Sequence, residues 1–158
     1  MLPIRTILHP TDFSEHSDYA LRLACALARD HGARLVLLHV AAPPTAVYGG
    51  DILIPAPPDS HDEERQRLDQ LQVPDTVPTE RHLVEGDAAT RILDVAEKTG
   101  SDLVVMGTHG RTGLARLLMG SVAEEVVRRA SCPVLTVKTP FPAAAPAPAA
   151  PTAEAVQA

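Results

Sequence analysis

Asp102-Leu103-Val104-Val105-Met106-Gly107-Thr108-His109-Gly110, with nine residues between it and Gly120-Ser121, sets the fold class of this chain. Its first half is an unbroken apolar run of strand length. Its far side is an amphipathic helical pattern, Ser121 to Ala130, with Ala123, Val126, Val127 and Ala130 on one face. A strand that opens into a glycine-rich loop and then a helix is how α/β proteins hold phosphate. Glycine lets backbone N–H groups approach an anion closely, and a helix N-terminus adds unpaired donors and a positive dipole end. Gly120 is expected to need both the small size of glycine and a positive φ.

Upstream, the same alternation repeats. Ile4 to His9 reads as a short buried strand ending at Pro10, and Ser14 as the N-cap of a helix that stops at Gly32. Ala33 to Val40 lacks polar alternation, which suits a parallel strand covered on both faces. Residues 41–60, rich in proline, read as a long loop or insertion. A short charged helix over 61–71, a strand over 81–85, and a helix capped by Asp87 and stopped at Gly100 follow. Pro133 to Lys138 reads as the last strand. The prediction is an α/β fold: an open, five-stranded, mostly parallel sheet with helices on both faces. Residues 1–138 form one domain, and the Ala/Pro-rich 139–158 is expected to be a disordered tail.

Composition narrows the function. A net charge of −6 argues against general binding to nucleic acid or anionic membrane, and 3% aromatic content leaves no base-stacking platform. The N-terminus shows no basic and apolar leader, and no apolar run reaches the ~20 residues of a membrane span, so a cytoplasmic protein is expected. Cys25 and Cys132 are expected to be buried free thiols. No Walker lysine motif, early Gly-x-Gly-x-x-Gly, zinc-hydrolase or Gly-x-Ser-x-Gly pattern is present.

What remains resembles the universal stress protein family, in its ATP-binding branch, over residues 3–138. The likeness rests on Pro10-Thr11-Asp12-Phe13-Ser14, His39-Val40 and Gly86-Asp87. Above all it rests on Gly107, Gly110, Gly120 and Ser121, which match the family motif Gly-x2-Gly-x9-Gly-Ser/Thr. The resemblance implies a Rossmann-like, adenine nucleotide alpha hydrolase-like fold that binds ATP, with Mg²⁺ as a possible companion, and acts as a nucleotide-responsive stress or regulatory protein. It implies nucleotide contacts at Thr11, Asp12, Val40, Met106, Gly107, Gly110, Gly120, Ser121 and Val122. Asp12 would accept from the ribose hydroxyls, the backbones of Thr11 and Val40 would flank the adenine, and Gly120 to Val122 would hold phosphate. It also implies a homodimer through the edge strand Val134 to Lys138.

Plainer readings stand beside these. Ser121-Val122-Ala123-Glu124 has the form of a capping box. Asp12 could be only a turn residue. Glu124 and Glu125 would repel a triphosphate unless they point away or Mg²⁺ intervenes. His9, His39 and His109 lie near one edge, but no carboxylate or thiol completes a metal set. Arg111 and Arg116 suit either phosphate or solvent. The rival functions are a slow Mg²⁺-dependent ATPase or phosphotransferase using Glu124 or His109, and a nucleotide-free interaction dimer. No catalytic residue and no resident metal site are expected.

Overall fold

The computed structural model describes residues 3–43, 47–49, 52–54, 61–108 and 119–138. In chain order the elements are β1 (Thr6–Thr11), α1 (Glu15–His31), β2 (Arg34–Ala41), β3 (Val47–Gly49), β4 (Ile52–Ile54), α2 (Asp62–Asp69), β5 (Thr79–Glu85), α3 (Ala88–Thr99), β6 (Leu103–Gly107), α4 (Ser121–Arg129) and β7 (Val134–Val137). Five strands form one sheet in the order β5-β2-β1-β6-β7, and every pairing in it is parallel. This is the expected α/β sheet, and it is wholly rather than mostly parallel.

The apolar strands follow from that burial. Along each central strand, alternate side chains enter two different cores. Ile7, Leu35, Leu37, Leu103 and Val105 pack with α1 and with Leu68 of α2. Leu8, Val36, Leu38, Val104 and Met106 pack with Ala89, Ile92 and Val95 of α3 and with Ala123 and Val126 of α4. Because both faces are covered, a period-2 pattern has no reason to appear in the sequence.

Helix ends match the residues that mark them. Ser14 Oγ accepts from Ser17 N–H at 3.2 Å, and Asp87 Oδ2 accepts from Thr90 N–H at 3.0 Å. Gly32 and Gly100 close α1 and α3 in the left-handed region, at φ 64° and 60°, where glycine is free of Cβ strain. Asp102 pins the start of β1 to β6. Its Oδ2 accepts from the N–H groups of Arg5 (2.8 Å) and Thr6 (3.0 Å), which hold the carboxyl below its ordinary pKa.

Two expectations need correction. The stretch over 41–60 is not loop throughout, because β3 and β4 form a two-stranded antiparallel ladder within it. Proline density hid the short Val-Tyr-Gly and Ile-Leu-Ile strands. Of the two thiols, Cys25 is buried but Cys132 is only partly so; both are free, and burial raises the pKa of each. The tail expected over 139–158 lies outside the described residues.

Candidate nucleotide site

Strand order reverses at β1, whose sequence neighbours lie to one side while β6 and β7 lie to the other. In open α/β sheets a crevice forms at such a point, beyond the carboxyl ends of the strands. Here a residue type widens it. β1 runs through Pro10 to Thr11 and keeps full register with β2, yet it pairs with β6 only at Ile7↔Leu103 and Leu8↔Val104. Proline has no N–H to give, so the ladder toward β6 ends there and the two strands part. Pro10 was expected to end the strand. It ends only one of the strand's two ladders.

A cavity of about 200 Å³ fills that opening. The ends of β1 (Pro10, Thr11, Asp12), β2 (Leu38, His39, Val40) and β6 (Met106, Gly107, Thr108) line it, with Ala88 and Ile92 of α3 on one side. Gly120, Ser121, Val122 and Ala123 close it at the start of α4. Of the nine residues expected to contact nucleotide, eight therefore surround one space. Gly110, like His109, Arg111 and Arg116, lies outside the described residues.

The local chemistry separates their roles. Asp12 Oδ1 accepts from Ser14 N–H at 3.0 Å, so the carboxylate does shape the turn, while its second oxygen accepts nothing from the described residues. Both lone pairs of the Thr11 hydroxyl are engaged: it accepts from Phe13 N–H (3.1 Å) and from the Ser17 hydroxyl (2.8 Å). The Thr11 carbonyl accepts from His39 Nδ1 at 2.8 Å.

The capping box is not formed. The N-cap of α4 is Gly120, with no side-chain hydrogen bond, and Ser121 is the first helical residue. Glycine at that position, where serine caps elsewhere, leaves the first N–H groups of α4 without a side-chain acceptor among the described residues. Gly120 has φ −62°, so the expected positive φ is absent and its use lies in the missing side chain. Glu125 turns away from the cavity to pair with Arg129, one turn on, which relieves part of the expected repulsion.

Three features went unread in the sequence. Thr108 ties both ends of the glycine loop: its N–H and hydroxyl donate to Val137 O (3.0 and 3.1 Å), and its carbonyl accepts from Gly120 N–H at 2.7 Å. Phe13 sits at φ 61°, strained for a bulky side chain, with its ring 4.4 Å from the His39 ring and under the Arg67 guanidinium, also at 4.4 Å. Gly107 lies beneath the first turn of α1, where an added Cβ would stand 3.2 Å from His16 O. Gly107→Val is therefore expected to lower stability by roughly 1–3 kcal/mol in urea unfolding, through displacement of α1. An unchanged midpoint would show that α1 yields freely.

The model of the universal stress protein family matches residues 3–138. The chain belongs to the universal stress protein family. Universal stress protein MJ0531 from Methanocaldococcus jannaschii is 33% identical over 141 residues, covering 86% of this chain and 83% of the relative. A universal stress protein solved in complex with cAMP superposes with a TM-score of 0.65 at 23% identity, covering 86% of this chain and 98% of the other. The universal stress protein from Archaeoglobus fulgidus in complex with dAMP gives a TM-score of 0.59 at 22% identity, covering 87% of this chain and all of the other (100%). These likenesses establish the Rossmann-like α/β fold shared by this universal stress protein and its solved relatives.

Proposed function

We propose that this universal stress protein binds ATP, with Mg²⁺, in the switch-point cleft, and works in the cytoplasm as a nucleotide-responsive regulator rather than an enzyme. One observation carries the reading: α4 begins at the cavity with a glycine cap and, among the described residues, no side-chain acceptor for its first N–H groups, which suits an anion. Asp12, with one free carboxylate oxygen, suits ribose hydroxyls, and the apolar Leu38, Val40 and Met106 suit a base. Relatives solved with cAMP and dAMP support an adenine nucleotide as the ligand class. Among the described residues no group of three or more His, Cys, Asp or Glu side chains could hold a metal ion. Mg²⁺ would therefore be held by the nucleotide's own phosphates and water. No described helix is long and apolar enough to cross a membrane.

The described lining of the cavity contains no Lys or Arg to neutralise a transferring phosphoryl group. Phosphate release is accordingly expected far below the ~10 s⁻¹ typical of enzymes. Pure protein that releases phosphate at ~1 s⁻¹ or faster, with loss in Glu124→Gln, would move the reading to an ATPase.

The same proposal includes a homodimer through β7, which is an edge strand. Leu135 is 37% exposed there, and Val127 of α4 is 45% exposed. An apolar edge without charge invites pairing with a second copy. Val137 is buried in the protomer's own core and is the wrong position to test. Leu135→Lys is expected to give a folded monomer by light scattering, where the parent chain is a dimer at micromolar concentration. A monomeric parent chain would remove the dimer from the account.

A further inference from the structure

At the point where β1 and β6 part, the backbone leaves one carbonyl in need of a donor. Continuing the register Ile7↔Leu103, Leu8↔Val104 sets the Val105 carbonyl opposite the nitrogen of Pro10, which bears no hydrogen. That carbonyl belongs to a wholly buried residue of a central strand, where an unmet acceptor is costly. The side chain of His9 supplies the donor: its Nδ1 lies 2.8 Å from Val105 O. A carbonyl can only accept, so Nδ1 carries the proton. His9 is 0% exposed, and burial lowers its pKa to about 4, so the ring is neutral with the lone pair on Nε2.

One strand over, a second ring reaches a carbonyl, here alongside a ladder that stays in register as far as Thr11↔His39. His39 Nδ1 stands 2.8 Å from the carbonyl of Thr11. The two rings link β2 to β1 and β1 to β6. Both ties sit at the cavity: His39 and Thr11 line it, and Val105 directly precedes the lining residue Met106. We propose that His9 and His39 are positioning residues of the nucleotide site, paired ring-to-carbonyl ties that hold the ends of β2, β1 and β6 at the spacing the cleft requires. The proposal rests on the nucleotide reading above. Between β1 and β6 the cleft needs the ladder to stop, whereas its walls still need a fixed separation. A side-chain tie provides the second without restoring the first. His39 also packs its ring, tilted by 37°, against Phe13, so it steadies the turn that carries Asp12.

Two measurements test it together. Imidazole ¹⁵N NMR of the ligand-free wild-type protein should find His9 protonated on Nδ1 and not on Nε2. ATP titration calorimetry should then find His9→Leu weaker than wild type by roughly tenfold, with His9→Asn, whose side-chain N–H can occupy the place of Nδ1–H, within about threefold of wild type. His39→Leu and His39→Asn should divide in the same way, which keeps the test alive if His9→Leu does not fold. A folded leucine variant that binds ATP as tightly as wild type, or a His9 proton on Nε2, overturns the proposal. Wild-type protein that binds no ATP overturns it along with the function it rests on, and is distinguished because the NMR result then stands alone.

Discussion

Acidification from pH 7 to pH 4 is expected to remove about 3 kcal/mol of folding stability through His9 alone. The ring is fully buried, and desolvation lowers its pKa from 6.5 to about 4, against the opposing pull of the Val105 carbonyl and the negative Asp12. Because the folded value lies below the unfolded one, the unfolded chain takes up a proton that the folded chain refuses. Stability from this group is complete above pH 6.5, declines as the pH falls, and is lost by the time it passes through about 4. Other acid-labile groups contribute to the same limb, Asp102 among them, so the comparison is made against His9→Asn. That variant retains a donor for Val105 O but cannot titrate. Urea unfolding at pH 7 and pH 4 should show the wild-type protein losing about 3 kcal/mol more than the variant. Parallel losses would mean that His9 is protonated in the folded protein without penalty.

Legibility in the sequence followed the physics of each element. Helices α1 and α3 were readable at both ends because the residues that end them act locally: Ser14 and Asp87 cap through their own side chains, and Gly32 and Gly100 take a conformation other residues resist. The central strands β2 and β6 were readable because parallel strands buried on both faces are continuously apolar. Thr11, Asp12, Val40, Met106, Gly107, Gly120, Ser121 and Val122 were named together from one glycine spacing and a family likeness, and they do gather around one cavity. The capping role of Ser121 was misread because Ser-x-x-Glu has the same form whether the helix starts at serine or one residue earlier. Only the backbone at Gly120 distinguishes the two. The ties at His9, His39 and Thr108 were invisible for another reason. Each satisfies a backbone group whose need arises only once strands distant in sequence lie side by side, 96 residues apart for His9 and Val105.

The second large effect concerns ligand linkage. A ligand at a hundredfold its Kd that binds only the folded state adds about 2.7 kcal/mol, which for a domain of this size raises the melting temperature by roughly 8 °C. A substitution can separate anion binding from helix stability. Ser121 is the first residue of α4, where proline is well tolerated, since that N–H has no helical partner and Gly120 already has the extended backbone that precedes proline. Ser121→Pro should therefore keep the ligand-free melting temperature while deleting one donor to phosphate. A charge-assisted hydrogen bond of this kind is worth about 1.5–3 kcal/mol, so affinity for ATP should fall by at least tenfold. AMP, which reaches the helix with fewer charged oxygens, should be affected less.

Thermal melting of the wild-type protein with and without saturating Mg-ATP bears most directly on the nucleotide account. A rise of roughly 8 °C is expected for the wild-type protein, and Ser121→Pro should cut it by about half or more. A wild-type melting curve unmoved by millimolar Mg-ATP, alongside a well-folded protein, would contradict it.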